Sequence, residues 1–328
     1  MSVPEITNCP GTLAPDFDTY SRTCLFRVFN GKKVSHILPY ESPASNAETD
    51  ELFEENRKRM SISGVQEKFS VLLEKNKLRL INEGERGSYI LKPIPNTGKK
   101  PDQLPANEHV TMQIARQAYG IETAENALIF FSNGAPAYIT KRFDVNSDGS
   151  KLAQDDFASL AGRTPQTHGE HYKYEGSYLE LFQLLEKFVP AYKIEAPKLL
   201  KLLMFNYLFS NGDAHFKNFS LLETPLGDYR LSPAYDLLNS RIHINDNDFA
   251  LDDALLPKNL AQGKLRHQFG ALAHQAGIAE KVFVDLLKLM LSQTEAVERL
   301  TFASFMDNHT KRHYFQSYQA RLRQLQKI

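Results

Sequence analysis

The sequence contains few of the features that mark disulfide-rich, zinc-bound or membrane proteins. Only two cysteines occur, Cys9 and Cys24, which are too few for a disulfide framework and lack the paired spacing of a zinc site. No apolar run approaches the roughly 18–20 residues that span a bilayer, and the first residues show no basic start followed by an apolar stretch. We therefore expect two reduced thiols in a cytoplasmic protein that makes no membrane contact.

An excess of charge of either sign is also absent. The chain carries 39 lysine and arginine residues against 39 aspartate and glutamate residues, so it lacks the broad positive field that grips nucleic acid. We expect any contact with DNA to be indirect. Neither G-x-x-x-x-G-K-[ST] nor G-x-G-x-x-G occurs, which disfavours a P-loop or Rossmann nucleotide site.

The first half of the chain has the pattern of an antiparallel sheet with one helix. Apolar residues alternate or cluster in FSVLLE, KLRLI, GSYILKP, ALIFF and PAYITKRF, which is typical of strands. Between the third and fourth of these segments, ANEHVTMQIARQAYG has apolar residues at helical spacing and Gly120 as a C-terminal cap.

The second half is mainly helical. Ser177 and Glu180 form a capping-box pattern, and APKLLKLLMFNYLFS is apolar on nearly every face, which predicts a buried helix that ends before Asn211. Two short strands follow, and polar-faced helices occupy the remainder. Because 328 residues exceed what one hydrophobic core usually serves, we predict an α+β fold with two lobes, a sheet-rich one over residues 1–143 and a helical one over residues 144–328.

The most informative polar residues lie in NGDAHFKNFS, directly after the predicted buried helix. Asp213 and Asn218 have the D-x-x-x-x-N spacing of the protein-kinase catalytic loop, in which the Asp accepts the substrate hydroxyl's proton and the Asn binds magnesium. A hairpin then returns the chain to Asp236. Two carboxylates and a carboxamide suit Mg²⁺. Asp and Asn are also ordinary turn residues, and it is the order of helix, loop, hairpin and second Asp that favours catalysis.

Two further features suit a bound nucleotide. Residues 61–68 (SISGVQEK) form a small-residue turn entering a strand, where backbone N–H groups can cradle phosphates. Lys92 lies near the end of a following strand, as a phosphate-neutralising lysine would. Glu108 begins the next helix and could orient Lys92, or it could be a first-turn glutamate favoured by the helix dipole.

The motifs SISGVQEK, ILKP, NEH, KRFD, NGDAHFKNFS and AYD occur in this order between Ser61 and Asp236. Together they resemble the successive motifs of HipA-type serine/threonine kinases, toxins of bacterial toxin–antitoxin systems. The resemblance covers more than half of the chain, and D-A-H-x-K-N-F is a highly specific string. It implies a two-lobed, protein-kinase-like fold and ATP- and Mg²⁺-dependent phosphorylation of protein serine or threonine.

The resemblance also implies roles for single residues. The ATP-binding residues would be Ser63, Gly64, Val65, Gln66, Lys68, Lys92, Lys141, Phe143, Asp144, Gln154 and Tyr235. The catalytic residues would be Asp213, His215 and Lys217, with Asn218 and Asp236 as metal ligands. The backbone of residues 141–143 would face adenine, and Asp144 and His215 would contact ribose or phosphate. Tyr235 would pack on the base, although it could equally be a core residue, as His215 could be an ordinary loop histidine.

The resemblance extends to partners and to self-modification. Only sixty residues precede Ser61, which resembles the short HipT-type kinases, whose missing N-terminal subdomain is a separate small protein. We therefore expect a HipB-like helix-turn-helix antitoxin, through which any DNA contact would run, and as a second candidate partner a small HipS-like protein. The family targets aminoacyl-tRNA synthetases, so such an enzyme is the implied substrate.

Ser61 and Ser63 are candidate autophosphorylation sites because they flank Ile62 directly before Gly64, in the segment expected to face the ATP phosphates. A phosphoserine adds about −1.5 to −2 charge, which would repel the triphosphate and displace the loop. The alternative is that the two hydroxyls only cap the turn.

Two other functions compete with a protein kinase. A kinase of small molecules would share the catalytic Asp and Asn, but the SxSGxQEK loop argues against it. A catalytically silent scaffold that binds a repressor predicts loss of Lys92, Asp213, Asn218 or Asp236, and all four are present.

Overall fold

The computed structural model describes residues 5–43, 53, 67–146 and 148–327. By their contacts these residues divide into two compact units. Unit 1 comprises the described residues of 1–113, 124–150 and 299–311, and unit 2 comprises those of 114–123, 151–298 and 312–328. Ser61 and the loop residues Ser63, Gly64, Val65 and Gln66 lie outside the described part of the chain.

Unit 1 is built on a five-stranded antiparallel sheet. Its strands are β1 (Phe69–Glu74), β2 (Lys77–Leu80), β3 (Tyr89–Pro93), β4 (Asn126–Phe130) and β5 (Pro136–Lys141), in the order β2-β1-β3-β5-β4. In the register of β1 with β3, Phe69 lies opposite Leu91, and in that of β3 with β5, Lys92 lies opposite Tyr138. The sheet therefore holds Lys92 beside an aromatic ring on the neighbouring strand.

The core of unit 1 lies against one face of this sheet. Apolar side chains at alternate positions, including Val71, Leu91 and Ile139, are fully buried and share the face that packs on this core. Helix α1 (Arg22–Phe29) packs Cys24, Val28 and Phe29 into this cluster. Both cysteines are free thiols, and both are buried.

Helix α2 (Leu104–Gln117) follows β3 and passes from unit 1 into unit 2. Further helices are α3 (Phe157–Leu160), α4 (Pro165–His168), α5 (Tyr178–Phe188), α6 (Tyr192–Leu208), α7 (Leu265–Gln275), α8 (Glu280–Ser292), α9 (Thr294–Ala303) and α10 (Asn308–Gln326). A second antiparallel sheet, in the order β6-β7-β8, consists of β6 (Gln154–Asp156), β7 (Ser220–Glu223) and β8 (Tyr229–Leu231). This small sheet and α6 lie in unit 2 and frame the Asp213 loop.

Helix α6 is buried over most of its length, from Glu195 to Leu208, as its unbroken apolar pattern predicts. Phe205 stacks on Phe209 just beyond its end, with ring centroids 4.4 Å apart. Half of the predicted capping box ahead of α5 is present, since the Glu180 carboxylate accepts the Ser177 backbone N–H at 3.1 Å. The Phe205–Phe209 stack lies at the C-terminal end of α6, from which the predicted catalytic loop departs.

The predicted α+β class is confirmed. Every strand segment predicted from the sequence forms a strand, and the predicted helices form with small changes at their ends. Helices α1, α3 and α4 and strand β6 were not predicted. Among the described residues, no helix is long and apolar enough to cross a membrane.

Candidate functional site

Two positions with special backbone requirements, Ser210 and Gly212, hold the loop that carries Asp213. Ser210 has a φ of +52°, which ends the helical path after α6. The Gly212 N–H donates to Ser240 Oγ at 3.0 Å, and a Cβ at Gly212 would overlap Asn247 O and the Asp246 carboxylate. Only glycine fits this position, so the Asn-Gly-Asp sequence places Asp213 as well as forming a turn.

Asp213 presents a half-exposed carboxylate, with 48% of its side-chain surface accessible. Tyr174 Oη donates to Asp213 Oδ1 at 2.8 Å. Burial, and then the adjacent Asp213 charge, raise the pKa of Tyr174, so the phenol keeps its proton and remains a donor. Tyr174 was not predicted from the sequence, because it lies in an irregular segment without a motif.

His215 lies in the same loop as Asp213. Its backbone N–H donates to Asp213 O at 2.8 Å and to Asn218 Oδ1 at 3.1 Å, and its ring lies edge-on to Tyr174 with centroids 5.2 Å apart. Burial, and then the positive charge of Lys173, lower the pKa of His215 to about 3. The imidazole is therefore neutral at physiological pH, and its Nε2 lies 4.0 Å from Asp213 Oδ1.

Lys217 and Asn218 follow on a short 3-10 turn. Lys217 Nζ forms an ion pair with Asp156 Oδ2 at 2.7 Å, while Asp156 Oδ1 accepts the Ser159 N–H at the start of α3. Asp156 therefore fixes the Lys217 ammonium, a role that the sequence did not indicate. The amide oxygen of Asn218 accepts one hydrogen bond and has a second lone pair available for a cation.

Gln154 and Tyr235 join this loop through a chain of hydrogen bonds. Gln154 Nε2 donates to Ser220 Oγ at 3.2 Å, Ser220 Oγ bonds the Tyr235 hydroxyl, and that hydroxyl donates to Lys217 O at 2.9 Å. Asp236 follows with a φ of +56°, an uncommon backbone for a residue with a side chain, and such backbones cluster at functional sites. Negative charge at Asp236 acts on both His215 and Tyr235, which places it beside the loop.

The predicted ATP-binding residues of unit 1 form separate contacts. Lys92 Nζ and Glu108 Oε1 are 2.7 Å apart, and only 5% and 1% of the two side chains is exposed. This is the pairing that the sequence suggested. Asp144 is buried and accepts both arms of Arg142 at 3.0 and 2.7 Å. Lys141 Nζ donates to Asn30 Oδ1 at 2.6 Å, and Lys68 and Phe143 are half-buried next to strands β1 and β5.

The donors around Asp213 fit one particular class of metal ion. In the described part of the chain, no group of three His, Cys, Asp or Glu side chains is placed to hold a metal. Mg²⁺ commonly binds through one or two carboxylates plus substrate phosphates. Asn218 and Asp236 provide a donor set of that kind.

Two solved structures illustrate the similarity of this fold to known proteins. One is a chain of the Shewanella oneidensis MR-1 toxin–antitoxin complex of HipA, HipB and its operator DNA, with a TM-score of 0.60 and 20% identity over 80% of this chain and 63% of that chain. The other is the Helicobacter pylori proinflammatory kinase CtkA, with a TM-score of 0.52 and 16% identity over 78% and 92% of the two chains. At these identities the likeness concerns the fold.

Two kinase-named proteins are similar to this chain in sequence. The protein named "Putative kinase Y4dM" of Sinorhizobium fredii is 30% identical over 256 residues, covering 74% of this chain and 60% of that protein. The "Putative kinase" of Haemophilus influenzae is 25% identical over 292 residues, 83% of each chain. The chain thus spans about three fifths of the first relative's length. The HipA-like C-terminal domain matches residues 60–299, well over half of the sequence, and the chain therefore belongs to the HipA-like C-terminal domain family.

Proposed function

We propose that this protein is an ATP-dependent serine/threonine protein kinase in which Asp213 is the catalytic base. The observation that carries the proposal is the Asp213 carboxylate itself, half-exposed and oriented by the Tyr174 hydroxyl at 2.8 Å. A general base must be accessible to the substrate proton and fixed in direction. Membership of a family whose relatives bear kinase names supports the same reading.

The proposed reaction uses the residues of unit 2 as follows. The acceptor hydroxyl gives its proton to Asp213 as its oxygen bonds to the γ-phosphorus of ATP, and the bond to the bridging oxygen breaks to release ADP. Lys217, fixed by Asp156, would counter the charge of the transferring group. Mg²⁺, held by Asn218 and Asp236, would neutralise phosphate charge.

In unit 1, Lys92 is the proposed phosphate-binding lysine. Its ammonium is held by Glu108 in the way that an ion pair positions the phosphate lysine of protein kinases. The Lys141 to Phe143 backbone would face adenine, Asp144 would contact ribose or phosphate, and Ser63 to Lys68 would cradle phosphates. These roles, like those of Gln154 and Tyr235, rest on the family motifs.

The test of the base is Asp213→Asn. Purified variants are assayed for phosphate transfer from labelled ATP to protein, with Asp285→Asn on the exposed face of α8 as the matched control. We expect Asp213→Asn to keep the fold and to lose on the order of 10²–10⁴ in turnover, and Asp285→Asn to stay at the wild-type rate. A correctly folded Asp213→Asn that transfers phosphate at the wild-type rate contradicts the assignment.

Tyr174→Phe separates orientation of the base from binding of ATP. Removing a hydrogen bond to a charged group should lower kcat about tenfold, while KM for ATP stays unchanged because Tyr174 contacts Asp213. If KM for ATP rises and kcat holds, Tyr174 does not position the base. Asp236→Asn should instead weaken Mg²⁺-dependent ATP binding.

The biological role that we propose is that of a toxin in a toxin–antitoxin system, phosphorylating an aminoacyl-tRNA synthetase to arrest growth. The support is the motif order and a fold shared with a chain of a HipA, HipB and operator DNA complex. A HipB-like antitoxin, and a small HipS-like protein, should restrain the kinase.

Phosphopeptide mapping of a lysate treated with kinase and ATP identifies the target. Co-expression with neighbouring gene products, followed by pull-down, tests the partners. A chain that is harmless alone and binds neither neighbour contradicts this role.

Autophosphorylation at Ser61 or Ser63 is the proposed off-switch. Mass spectrometry of active enzyme and of Asp213→Asn, each incubated with ATP and magnesium, distinguishes it from a structural role for the serines. Phosphate on the active enzyme alone is the expected result. Unmodified Ser61 and Ser63 in active enzyme would leave the kinase assignment intact and remove the switch.

A further inference from the structure

Helix α10 carries a buried arginine whose contacts converge on the loop of Asp213. Arg321 is only 7% exposed, and arginine is almost never fully buried unless its guanidinium is paired. Residues 312–328 and the loop both belong to unit 2, so these contacts lie within one compact unit. The partners of Arg321 therefore indicate what the end of α10 holds in place.

The Arg321 guanidinium joins the end of α6 to the segment around Asp248. Its Nε donates to Ser210 Oγ at 3.2 Å, and its Nη2 donates to Asp248 Oδ1 at 2.7 Å. The guanidinium also lies over the ring of Tyr207, in the last turn of α6, with Cζ 4.7 Å from the ring centroid. A planar fork of donors makes these contacts at the same time, which the compact ammonium of a lysine cannot do.

Ser210 has an uncommon backbone conformation, and α10 holds its side chain. Its φ is +52°, and a residue with a side chain keeps such a φ only where the surrounding structure fixes it. The Ser210 hydroxyl oxygen lies 3.1 Å from Ser317 Oγ as well as 3.2 Å from Arg321 Nε. Ser317 and Arg321 are four residues apart and so lie on one face of α10. This face therefore fixes the residue at which the chain turns away from α6.

Ser240 carries these contacts onward to the residue before Asp213. Its backbone N–H donates to Ser210 O at 3.2 Å, and its Oγ accepts the Gly212 N–H at 3.0 Å. The same hydroxyl donates to the Asp246 carboxylate, two residues before the aspartate that α10 binds. Both ends of the guanidinium bridge therefore lead to the backbone that immediately precedes the Asp213 carboxylate.

We propose that Arg321 is a positioning residue for phosphate transfer: it holds Ser210 in its left-handed conformation and so fixes the direction of the Asp213 carboxylate. Arg321 acts through the loop and reaches Ser210 across 111 positions of sequence. The role rests on the proposed function, because it takes Asp213 as the base. It makes the last helix of the chain a part of the catalytic apparatus.

Steady-state kinetics distinguish positioning from a purely structural role. Arg321→Ala should lower kcat at least about tenfold and leave KM for ATP within about twofold, since it removes no ATP contact. Arg323→Ala, at an exposed position of the same helix, should keep the wild-type kcat. Ser210→Ala should slow transfer by the same route, so the double variant should be no slower than the slower single variant. Losses that multiply in the double variant, or a raised KM with kcat unchanged, overturn the proposal.

Hydrogen–deuterium exchange on the full chain examines the loop without catalysis. Because the Gly212 N–H is bonded to Ser240, a peptide spanning residues 209–218 should exchange at least about tenfold faster in Arg321→Ala, and a peptide from α5 should not change. Arg321→Lys keeps the charge without the fork and serves the same test if the alanine variant does not fold. Unchanged exchange, or wild-type kcat in a folded variant, overturns this role alone. A wild-type chain that transfers no phosphate overturns the proposed function, and this role with it.

Discussion

Removing one partner of the Lys92–Glu108 pair should destabilise unit 1 far more than removing both. The two charges are 2.7 Å apart, which at an effective dielectric constant of 20 corresponds to an attraction of about 6 kcal/mol. Exposed fractions of 5% and 1% mean that water cannot replace a lost partner. Lys92→Met or Glu108→Met alone should therefore lower the free energy of unfolding by about 3–5 kcal/mol.

The double variant is the informative one. With Met at both positions no charge stays buried, so most of the stability should return, leaving a coupling of about 3 kcal/mol or more between the two sites. Urea unfolding followed by far-UV circular dichroism is the assay, because the chain has no tryptophan. Arg27→Met, from the half-exposed Arg27–Glu125 pair at 3.0 Å, is the control and should cost about 0–1 kcal/mol. Single variants that each cost less than about 1 kcal/mol, or an additive double, would refute the reasoning. The folded double variant should still fail to bind ATP if Lys92 binds phosphate.

Two smaller predictions concern the core of unit 1. A Cβ at Gly11 would overlap Cys24 Sγ, so Gly11→Ala should cost about 1–3 kcal/mol and should be tolerated in a Cys24→Ala background; equal loss of thermal stability in both backgrounds contradicts the contact. Burial lowers the pKa of His109 to about 4, so the unfolded chain binds the extra proton between pH 6.5 and 4, and stability falls as pH falls, by about 1.4 kcal/mol per pH unit at most. His109→Gln should reduce the loss of stability between about pH 7 and pH 5, and an unchanged loss in urea unfolding contradicts the prediction.

The sequence was enough to predict those elements and site residues that are determined by their neighbours in the chain. The apolar run of α6 has one outcome, a buried helix, and the capping residues Ser177 and Glu180 act within one turn. Asp213 and Asn218 share a loop of six residues, so their spacing already fixes their proximity. Lys92 and Glu108 are 16 positions apart, and only the sheet-then-helix order indicated that they could meet.

The contacts that escaped prediction join distant segments. Tyr174 reaches Asp213 across 39 positions, and Lys217 reaches Asp156 across 61, with no sequence signal at either end. Strand β6 is only three residues long, too short for an alternating pattern to be recognised.

The division of the chain into interleaved units has a consequence for synthesis on the ribosome. Unit 1 takes its last stretch from residues 299–311, where Ala303 O accepts Asn8 Nδ2 at 2.9 Å and the Phe305 ring lies 6.0 Å from that of Phe130. At 5–20 residues per second, roughly 10–30 s separate translation of residue 150 from that of residue 311. During that interval the nascent sheet lacks part of its packing, so ribosomes stalled before residue 299 should hold a protease-sensitive N-terminal half. A stop codon there should destabilise the sheet-bearing unit as well as delete α10.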